Sequence, residues 1–185
     1  MGTGVTIRRA RPADAEAIAR VRLEGWRAAY RGLVPQASLD AMNESTSVTM
    51  WQRVLSAPTD RATVYVAERD GAVVGFAAGN ALAEPKHGFD AELTGVTLAR
   101  DAQRQGLGRR LVAAVAADRA AHGAGGLIGW VLGGHRAARD FCAALGGEVV
   151  AEQTFDWDGS QLVEVGYGWR DLPALVAAGG LATLH

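Results

Sequence analysis

The sequence predicts a single α/β domain of the α+β kind, in which helices cover both faces of a mixed sheet. Helix-like and strand-like segments alternate along the chain without an interdomain linker or an internal repeat. Two Asp-Gly pairs, at 70–71 and 158–159, separate strand-like segments and are typical of tight hairpin turns. A chain of 185 residues with 49% hydrophobic residues is large enough for one ordinary core.

Hydrophobic spacing and breaker residues define the elements of the first third of the chain. Residues 5–9 have the character of a short strand. Apolar residues at helical spacing then predict a helix over 11–30, which a glycine and a proline end. We expect two shorter helices at 36–42 and 47–55.

The middle of the chain is rich in strands. Segments 63–68 and 72–79 flank the first Asp-Gly turn and form a predicted hairpin. A loop that contains Pro85 leads to a further strand at 91–99.

The remaining elements follow from an apolar helical stripe, an apolar run and closing glycines. They are a helix at 106–121, a buried strand at 126–132, a helix at 135–145 and hairpin strands at 148–157 and 161–169. The domain is therefore taken as residues 1–170. Residues 171–185 are expected to form a weakly packed helical tail, with Asp171 as a candidate cap.

Composition excludes several classes of function. The net charge of −1 gives no dominant surface for a nucleic acid. No signal peptide and no apolar run of membrane-spanning length is visible, so we expect a cytoplasmic protein without a membrane partner. Cys142 is the single cysteine, which excludes an intrachain disulfide, and the four histidines lack metal-ligand spacing, so no metal is expected.

The most informative segment is ELTGVTLARDAQRQGLGRRL, residues 92–111. A strand leads through a polar loop into a helix whose first turn contains Gly106 and Gly108. Glycines let backbone N–H groups approach an anion closely, and a helix N-terminus favours negative charge. Four arginines crowd the same segment, which points to a ligand with several phosphates. They are Arg100, Arg104, Arg109 and Arg110.

Two common phosphate-binding loops fit this segment poorly. A P-loop has Lys and then Ser or Thr after its last glycine, whereas Arg109 and Arg110 stand here. A dinucleotide fingerprint needs a third glycine where the chain has Leu111. A bare G-x-G would also suit a surface helix with a glycine-loosened start.

The whole segment resembles the acetyl-CoA-binding motif of the GNAT N-acetyltransferases, Gln/Arg-x-x-Gly-x-Gly/Ala. Here the motif is Gln103-Arg104-Gln105-Gly106-Leu107-Gly108, five residues beyond the strand residues Val96-Thr97-Leu98. Residues 132–147, LGGHRAARDFCAALGG, resemble the family's second motif, a strand followed by Asn-x-x-Ala-x-x-Phe-Tyr and a glycine. The stretch EGWRAAYRGLVPQASLDAM is similar to one in a bacterial branch of the superfamily.

The resemblance implies a GNAT acyl-CoA N-acyltransferase fold, with a mixed, mostly antiparallel sheet. Two parallel strands, Leu93–Ala99 and Leu127–Leu132, would splay apart and admit the pantetheine arm of acetyl-CoA. The arm would bond the backbone of Val96 and Leu98, and the pyrophosphate would bind the amides of 104–109. The resemblance thus implies these cofactor-binding residues: Val96, Leu98, Gln103, Arg104, Gln105, Gly106, Gly108, Arg109, His135 and Ala138.

Acyl transfer to an amine needs a neutral amine, because a protonated amine cannot attack. A lysine-like amine has a pKa of about 10.4, so a base that takes its proton lowers the barrier. Glu92, at the start of the central strand, is the candidate base, with Asp90 and Glu68 as weaker rivals. A solvated carboxylate at a strand end is the alternative interpretation of Glu92. Backbone N–H groups of Val96 or Leu98 are candidates for stabilising the oxyanion.

Two positions depart from the family pattern. Cys142 stands where the family has the tyrosine that acts as general acid, so Cys142 is a candidate proton donor, and water is the alternative. His135 stands where the family has an asparagine that bonds the pantetheine arm, and a helix cap is its alternative role. A nucleophilic Cys142 with His135 as base is disfavoured, since seven helical residues rise about 10 Å. A buried structural cysteine is favoured over that pair.

The acceptor is the least determined part of the sequence interpretation. Trp26 and Tyr30 lie one helical turn apart and are candidates for lining the acceptor cleft, although aromatic residues at this spacing also form cores. The predicted activity is acetyl transfer from acetyl-CoA to a primary amine of a small molecule or protein, by direct attack in a ternary complex. The alternative is a catalytically silent acyl-CoA-binding or regulatory module. A homodimer through the last hairpin stays open.

Overall fold

A computed structural model describes residues 4–58 and 60–180 of the chain. Within these ranges the chain forms seven strands and six α-helices, with short 3₁₀ turns at Pro12–Asp14 and Arg100–Ala102. In chain order the elements are β1 (Val5–Arg9), α1 (Ala15–Ala29), α2 (Gln36–Asp40), α3 (Glu44–Leu55), β2 (Ala62–Arg69), β3 (Ala72–Lys86), β4 (Phe89–Leu98), α4 (Leu107–Ala121), β5 (Leu127–Leu132), α5 (Arg136–Ala144), β6 (Glu148–Trp157), β7 (Ser160–Trp169) and α6 (Leu172–Ala178).

The strands form one sheet in the order β1-β2-β3-β4-β5-β7-β6. The pairing of β4 with β5 is parallel, and the other five pairings are antiparallel. The predicted hairpin turns are confirmed: Asp70 and Gly71 have φ angles of 52° and 78°, and Asp158 and Gly159 have φ angles of 49° and 84°. The mixed, mostly antiparallel sheet expected from the sequence is therefore present.

Helices cover both faces of this sheet, as predicted. On one face, α4 buries Leu111 and Val115 in a cluster that includes Leu93 of β4. On the other face, Ile18 of α1 packs in a separate cluster with Phe76 of β3. The motif-bearing segments predicted from the sequence lie at the middle strands β4 and β5, between these two layers.

The parallel strands β4 and β5 separate after three residue pairs. Ala91, Glu92 and Leu93 pair with Leu127 to Gly129, and no later residue of β4 pairs with β5 in the part of the chain that the structure describes. The predicted splay between these strands is therefore confirmed. It exposes one edge of the second half of β4.

A β-bulge at Thr94 accompanies the separation. Gly79 of β3 pairs with Leu93 and Ala78 pairs with Gly95, so Thr94 has no partner in the ladder. Because of this extra residue, Leu93 and Val96 both face the α4 side of the sheet, although they are three positions apart. Thr97 faces the opposite layer, where a Cβ on Gly25 of α1 would clash with its methyl group.

Two predicted boundaries were wrong. The expected loop around Pro85 is the end of β3, which runs to Lys86, and the chain reverses at His87 and Gly88 with φ angles of 52° and 82°. Pro85 fits there because the β3–β4 ladder is irregular between Ala81 and Lys86, so its missing N–H breaks no regular pairing.

The third helix begins three residues before the predicted start at Ser47. Asn43 caps it, since its Oδ1 accepts hydrogen bonds from the N–H groups of Ser45 and Thr46 at 2.8 and 3.3 Å. The side chain of Asn43 thus supplies a start signal that hydrophobic spacing alone does not show.

The first part of the C-terminal tail packs more tightly than expected. Leu172 and Leu175 of α6 are each 2% exposed and belong to the same core cluster as α4. The carboxylate of Asp171 caps α6 by accepting from the N–H of Ala174 at 2.9 Å. Burial of two leucines explains the ordered helix, and residues 181–185 of the expected tail lie outside the described residues.

Candidate active site

The loop between β4 and α4 enters the helix through residues with a left-handed backbone. Arg104 and Gly106 have φ angles of 63° and 76°, and a Cβ on Gly106 would meet open space. Helix geometry leaves the N–H groups of Leu107, Gly108 and Arg109 without an intrahelical acceptor. Left-handed residues beside helical ones form an anion-binding concavity, and the positive end of the helix dipole adds to it. The loop therefore fits a pyrophosphate group.

The two glutamines of the loop brace its shape. The side-chain amide of Gln103 donates to the carbonyl oxygen of Leu98 at 3.2 Å. That of Gln105 donates to the carbonyl oxygen of Asp101 at 2.8 Å. These bonds hold the end of β4 against the start of the loop. Because the donors are side-chain amides, the backbone amides of the loop stay free for a ligand.

Gly108 permits a close approach of α4 and α5. A Cβ at this position would lie 3.2 Å from the ring of Phe141 and 3.5 Å from a methyl group of Leu98. The second glycine of the motif thus serves packing as well as the loop, because a larger side chain would push the two helices apart.

The open edge of β4 offers peptide groups in one direction. The N–H of Ala99 donates to the carbonyl of Val74 in β3 at 2.8 Å. Peptide groups alternate in direction along a strand, so the N–H and C=O groups of Val96 and Leu98 point away from β3, toward the splay. Apart from the bond from Gln103 to Leu98, these groups suit an extended ligand rich in amides, such as a pantetheine arm.

His135 caps α5 and has one ring nitrogen left to donate. Its Nδ1 accepts a hydrogen bond from the N–H of Ala138 at 3.3 Å. Burial lowers the pKa of His135, so the ring is neutral at neutral pH, and the proton resides on Nε2. The capping role considered from the sequence is therefore present, and Nε2–H remains a candidate donor to a ligand.

Glu92 is half-buried on β4, opposite Asn80 of β3 and Ile128 of β5. Burial raises the pKa of its carboxyl group, Lys86 opposes this shift, and Glu164 adds to it. Among residues 4–58 and 60–180, no side chain forms a hydrogen bond or an ion pair with Glu92. An unpaired carboxyl group with a raised pKa is suited to accept a proton near neutral pH.

The two rival carboxylates have structural partners. Asp90 accepts hydrogen bonds from the backbone N–H groups of Gly125 and Gly126 at 3.0 and 3.2 Å, which fixes the turn before β5. Glu68 accepts from the guanidinium of Arg8 at 2.6 and 2.9 Å. Both groups are therefore committed elsewhere, which favours Glu92 among the three.

Trp26 and Tyr30 lie beside aromatic residues from the last hairpin. The rings of Trp26 and Tyr30 are 4.7 Å apart, and Trp157 lies 5.7 Å from Trp26 and 6.1 Å from Phe155, all measured between ring centroids. We call these four residues the aromatic cleft. The Tyr30 ring also lies 5.6 Å from that of His135, so the cleft reaches the N-terminus of α5.

The sequence interpretation missed three side chains of this region: Arg22, Trp157 and Glu164. The guanidinium carbon of Arg22 lies 4.3 Å from the centroid of Trp26. Burial raises the pKa of Tyr30, with Arg22 and Glu164 acting on it in opposite directions. The spacing of Arg22 four residues before Trp26 was a usable signal, since i, i+4 side chains meet on a helix. No local signal marks the other two.

Cys142 is buried in the core. It is 5% exposed and clusters with Leu145 and Trp169. Burial raises the pKa of its thiol to about 12, so the thiol stays protonated at neutral pH. His135 caps the opposite end of the same helix, which agrees with the argument against a Cys142–His135 nucleophile and base.

Two further kinds of feature are absent from the described residues. None of the helices described is both long and apolar enough to cross a membrane. Over residues 4–58 and 60–180, no group of three or more His, Cys, Asp or Glu side chains is arranged to hold a metal ion.

Comparisons with known proteins agree with this geometry. A sequence profile of the Acetyltransferase (GNAT) family matches residues 24–147. The uncharacterized N-acetyltransferase YuaI of Bacillus subtilis (strain 168) is 35% identical over 173 residues, which cover 92% of this chain and 96% of YuaI.

Solved structures share the fold at lower identity. The PaiA N-acetyltransferase from Thermoplasma acidophilum, in complex with coenzyme A, is 18% identical with a TM-score of 0.68, over 88% of this chain and 98% of that one. YncA of Salmonella typhimurium, a putative acetyltransferase with its cofactor acetyl-CoA, is 19% identical with a TM-score of 0.68, over 90% of this chain and 94% of that one.

Proposed function

The chain belongs to the GNAT family of acetyltransferases, and from that premise we propose that it acetylates a primary amine by direct attack within a ternary complex. It is an acyltransferase, and acetyl-CoA is its acyl donor. The acceptor is proposed to be a small molecule or an exposed amino group of a protein. One observation carries the proposal: the splay and amide-lined loop adjoin a half-buried carboxylate, Glu92, that has no side-chain partner in the described chain.

We assign acetyl-CoA to the loop and the open edge of β4. The amides of Arg104 to Arg109 would hold its pyrophosphate, and the peptide groups of Val96 and Leu98 would hold the pantetheine arm. Nε2–H of His135, beside Ala138, would add a donor to the arm. When bound, acetyl-CoA supplies the activated acetyl group as a thioester.

Glu92 is the proposed base. Its carboxylate faces the layer of α1, where the aromatic cleft lies, and it would take a proton from the incoming ammonium group directly or through water. Since burial raises its pKa, Glu92 is a stronger base than an exposed glutamate. The aromatic cleft in the same layer would hold the body of the amine and limit access of water.

The backbone supplies the proposed oxyanion site. The N–H groups of Val96 and Leu98 point into the splay and are fixed by the sheet, so the one of them that the pantetheine arm leaves free can stabilise developing negative charge without rearrangement. Cys142 has a narrower role than a full proton donor. A thiol with a pKa of about 12 loses its proton poorly to a thiolate whose conjugate acid has a pKa of about 8.5, so we propose that Cys142 donates a hydrogen bond to the leaving sulfur and that water supplies the proton.

A catalytically silent acyl-CoA-binding or regulatory module is the second candidate. It is favoured by Cys142 and His135, since one is a weak acid and the other already caps a helix. Turnover of any amine would exclude this candidate. Tight acetyl-CoA binding without turnover, across a broad set of amines, would support it over acetyl transfer.

Thermal unfolding with acetyl-CoA, free CoA and ATP tests the donor site first. At a hundredfold excess over Kd, binding adds about 2.7 kcal/mol to the free energy of unfolding. For a domain of this size that corresponds to a rise in Tm of roughly 5–10 °C. The expected result is a larger rise with acetyl-CoA than with ATP, followed by CoA release when amines are screened. No rise would overturn the assignment of the donor site.

The domain bounds, the location and the association of the chain complete the proposal. We propose residues 1–170 as the catalytic domain, residues 171–185 as its C-terminal tail, and the cytoplasm as its location. If two copies associate, the last hairpin is the surface we favour, because Val149 and Val163 expose 59% and 42% of their surface there. Size-exclusion chromatography coupled to light scattering would test the association.

A further inference from the structure

Arg22 lies at the end of the aromatic cleft that is remote from His135, and the proposed acetyl transfer does not use it. Its guanidinium carbon is 4.3 Å from the centroid of Trp26, and the Trp26 ring is 4.7 Å from that of Tyr30. The Tyr30 ring in turn lies 5.6 Å from that of His135. Two aromatic rings therefore separate Arg22 from His135, which is proposed to contact the pantetheine arm.

The guanidinium of Arg22 has no anionic partner in the described chain. Across residues 4–58 and 60–180, it forms neither an ion pair nor a hydrogen bond, although it is partly withdrawn from water. Burial lowers its pKa accordingly, and Tyr30 opposes the shift. Arg8, by contrast, bonds the carboxylates of both Asp14 and Glu68.

The missing partner of Arg22 costs free energy of folding. A charge that is removed from water without a partner is destabilising, and a guanidinium fork matches the geometry of a carboxylate. Its guanidinium carbon already lies over the Trp26 ring, and its N–H groups have no acceptor in the described chain. Arg22 is therefore organised to receive an anion that the chain itself does not provide.

Arg22 also lines a cavity of about 290 Å³ between α1 and the start of α3. Met42 and Met50 give this cavity apolar walls, and Thr46 and Ser47 also line it. A cation beside apolar walls suits a small anionic group at the end of an apolar chain.

We propose that the acceptor is an amine that carries a carboxylate at the far end of an apolar body, and that Arg22 binds this carboxylate. The inference rests on the proposed acetyl transfer at Glu92 and extends it to the class of acceptor. An ω-amino acid has this shape, with its amino group toward Glu92 and its chain along the aromatic cleft. A diamine does not, since its second ammonium would meet the like charge of Arg22.

Three acceptors of equal length test the proposal, because they differ in the charge of the far end. These are 6-aminohexanoate, hexylamine and 1,6-diaminohexane, compared by kcat/KM for CoA release at saturating acetyl-CoA. We expect 6-aminohexanoate to exceed hexylamine by roughly tenfold or more, the usual effect of a charge-assisted hydrogen bond, and 1,6-diaminohexane to be poorest. Comparison with 4-aminobutyrate and 8-aminooctanoate then measures the preferred length.

Substitutions at Arg22 should change this order without abolishing acetyl transfer. Arg22→Gln should bring the ratio between 6-aminohexanoate and hexylamine close to one. Arg22→Glu should invert the series in favour of 1,6-diaminohexane. Arg20→Gln is the matched control, because Arg20 is an exposed arginine on the same helix, and it should keep the wild-type order. Thermal unfolding and acetyl-CoA affinity, measured for each variant, verify that the fold is intact.

A binding measurement separates this inference from the proposed activity. Calorimetry of hexanoate in the presence of CoA should show binding to the wild type and to Arg20→Gln, and loss of binding in Arg22→Gln. Equal kcat/KM values for the three acceptors, or a wild-type preference for 1,6-diaminohexane, would overturn the role of Arg22 and leave acetyl transfer standing. Hexanoate binding that depends on Arg22, without turnover of any amine, would support the anion site and retract the proposed activity.

Discussion

The donor side and the acceptor side of the candidate site are built in different ways. The donor side comes from two continuous segments, the β4–loop–α4 unit and the start of α5. The acceptor side combines α1, β4 and both strands of the last hairpin, so Trp26 contacts Trp157 from the opposite end of the chain. The donor side would bind acetyl-CoA through backbone amides, whereas the acceptor side offers side chains.

This difference has a consequence for specificity. Backbone amides are present whatever the side chains are, so a donor site made of them tolerates substitution as long as the glycines and the loop shape remain. A site made of aromatic and charged side chains changes its ligand with each substitution. We therefore expect substitutions on the donor side to act on cofactor binding as a whole, and those on the acceptor side to act on one amine relative to another.

The largest effect is expected for Gly106→Glu. This substitution forces a residue with a Cβ into a left-handed conformation and adds a carboxylate where the loop should receive phosphate. Like charges brought together cost several kcal/mol, so we expect the Kd for acetyl-CoA, measured by calorimetry, to rise by roughly a hundredfold or more.

Gly123→Glu is the matched control for this change. Gly123 also has a positive φ angle and open space around its Cβ position, but it lies at the other end of α4. Gly123→Glu should lower Tm without raising the Kd for acetyl-CoA. Unchanged affinity in Gly106→Glu would remove the loop from the donor site and with it the contrast between the two sides.

Glu92→Gln is expected to lower kcat/KM by roughly a hundredfold near neutral pH, the usual size of a general-base contribution. In the wild type, activity should be lost as pH falls through the raised pKa of Glu92. In the variant, the rate should follow the fraction of free amine, which falls about tenfold per pH unit below the pKa of the amine. The ratio of kcat/KM in the wild type to kcat/KM in the variant therefore grows as pH falls below the pKa of the amine. It stops growing once Glu92 itself is protonated.

Glu164→Gln sharpens the assignment of this pH limb. Glu164 raises the pKa of Glu92, so its removal should move the acidic limb to lower pH while turnover persists. A pH–rate profile in Glu92→Gln with the same limb as the wild type would exclude Glu92 as the base.

Trp26→Ala should act on the acceptor alone. It removes the ring that lies between Tyr30, Trp157 and Arg22, so we expect the KM of the amine to rise by about tenfold, the usual effect of losing an aromatic anchor. The affinity for acetyl-CoA should stay within about twofold of the wild type, because the donor side is backbone. If acetyl-CoA binding fell in parallel with amine binding at an unchanged Tm, the two sides would not be separable.

The smallest effect is expected for Cys142→Ala. A thiol with a pKa of about 12 does not titrate in the working range, so the pH–rate profile should keep its shape. Loss of a weak hydrogen bond to the leaving sulfur should lower kcat by about two- to threefold. The cavity left by the sulfur should cost about 1 kcal/mol in the free energy of unfolding. A loss of kcat by more than tenfold, rescued in Cys142→Ser, would make Cys142 the proton donor after all.

The donor side could be predicted because its chemistry is local. The glycines at 106 and 108 are visible in the segment itself, and the divergence of β4 from β5 is implied by the resemblance of that segment to the GNAT motif. Both were expected before any distance was known. Local packing has limits even here, since the bond from Ala138 to His135 depends on a side-chain orientation that sequence spacing leaves open.

The acceptor side could not be predicted to the same degree, because tertiary structure assembles it. Trp157 and Glu164 reach the cleft only through the register of the β6–β7 hairpin and its place next to β5. The same holds for Asp90, whose bonds to Gly125 and Gly126 withdraw it from the list of bases. Sequence separation hides such contacts, although each follows directly once the strand order is known.

The bulge at Thr94 makes the residue count of β4 a constraint of its own. Counting from Glu92, the peptide groups of Val96 and Leu98 reach the splay while the carboxylate reaches the opposite layer, because one residue between them is left out of the ladder. The residues on either side of Thr94 already pair in a regular series, so deleting Thr94 would remove the bulge and leave their faces unchanged. A residue inserted between Gly95 and Val96 would instead turn the peptide groups of Val96 and Leu98 toward β3. Such an insertion should therefore be far more damaging than any one substitution in this stretch, since it would separate the proposed base from the peptide groups that are proposed to serve the same reaction.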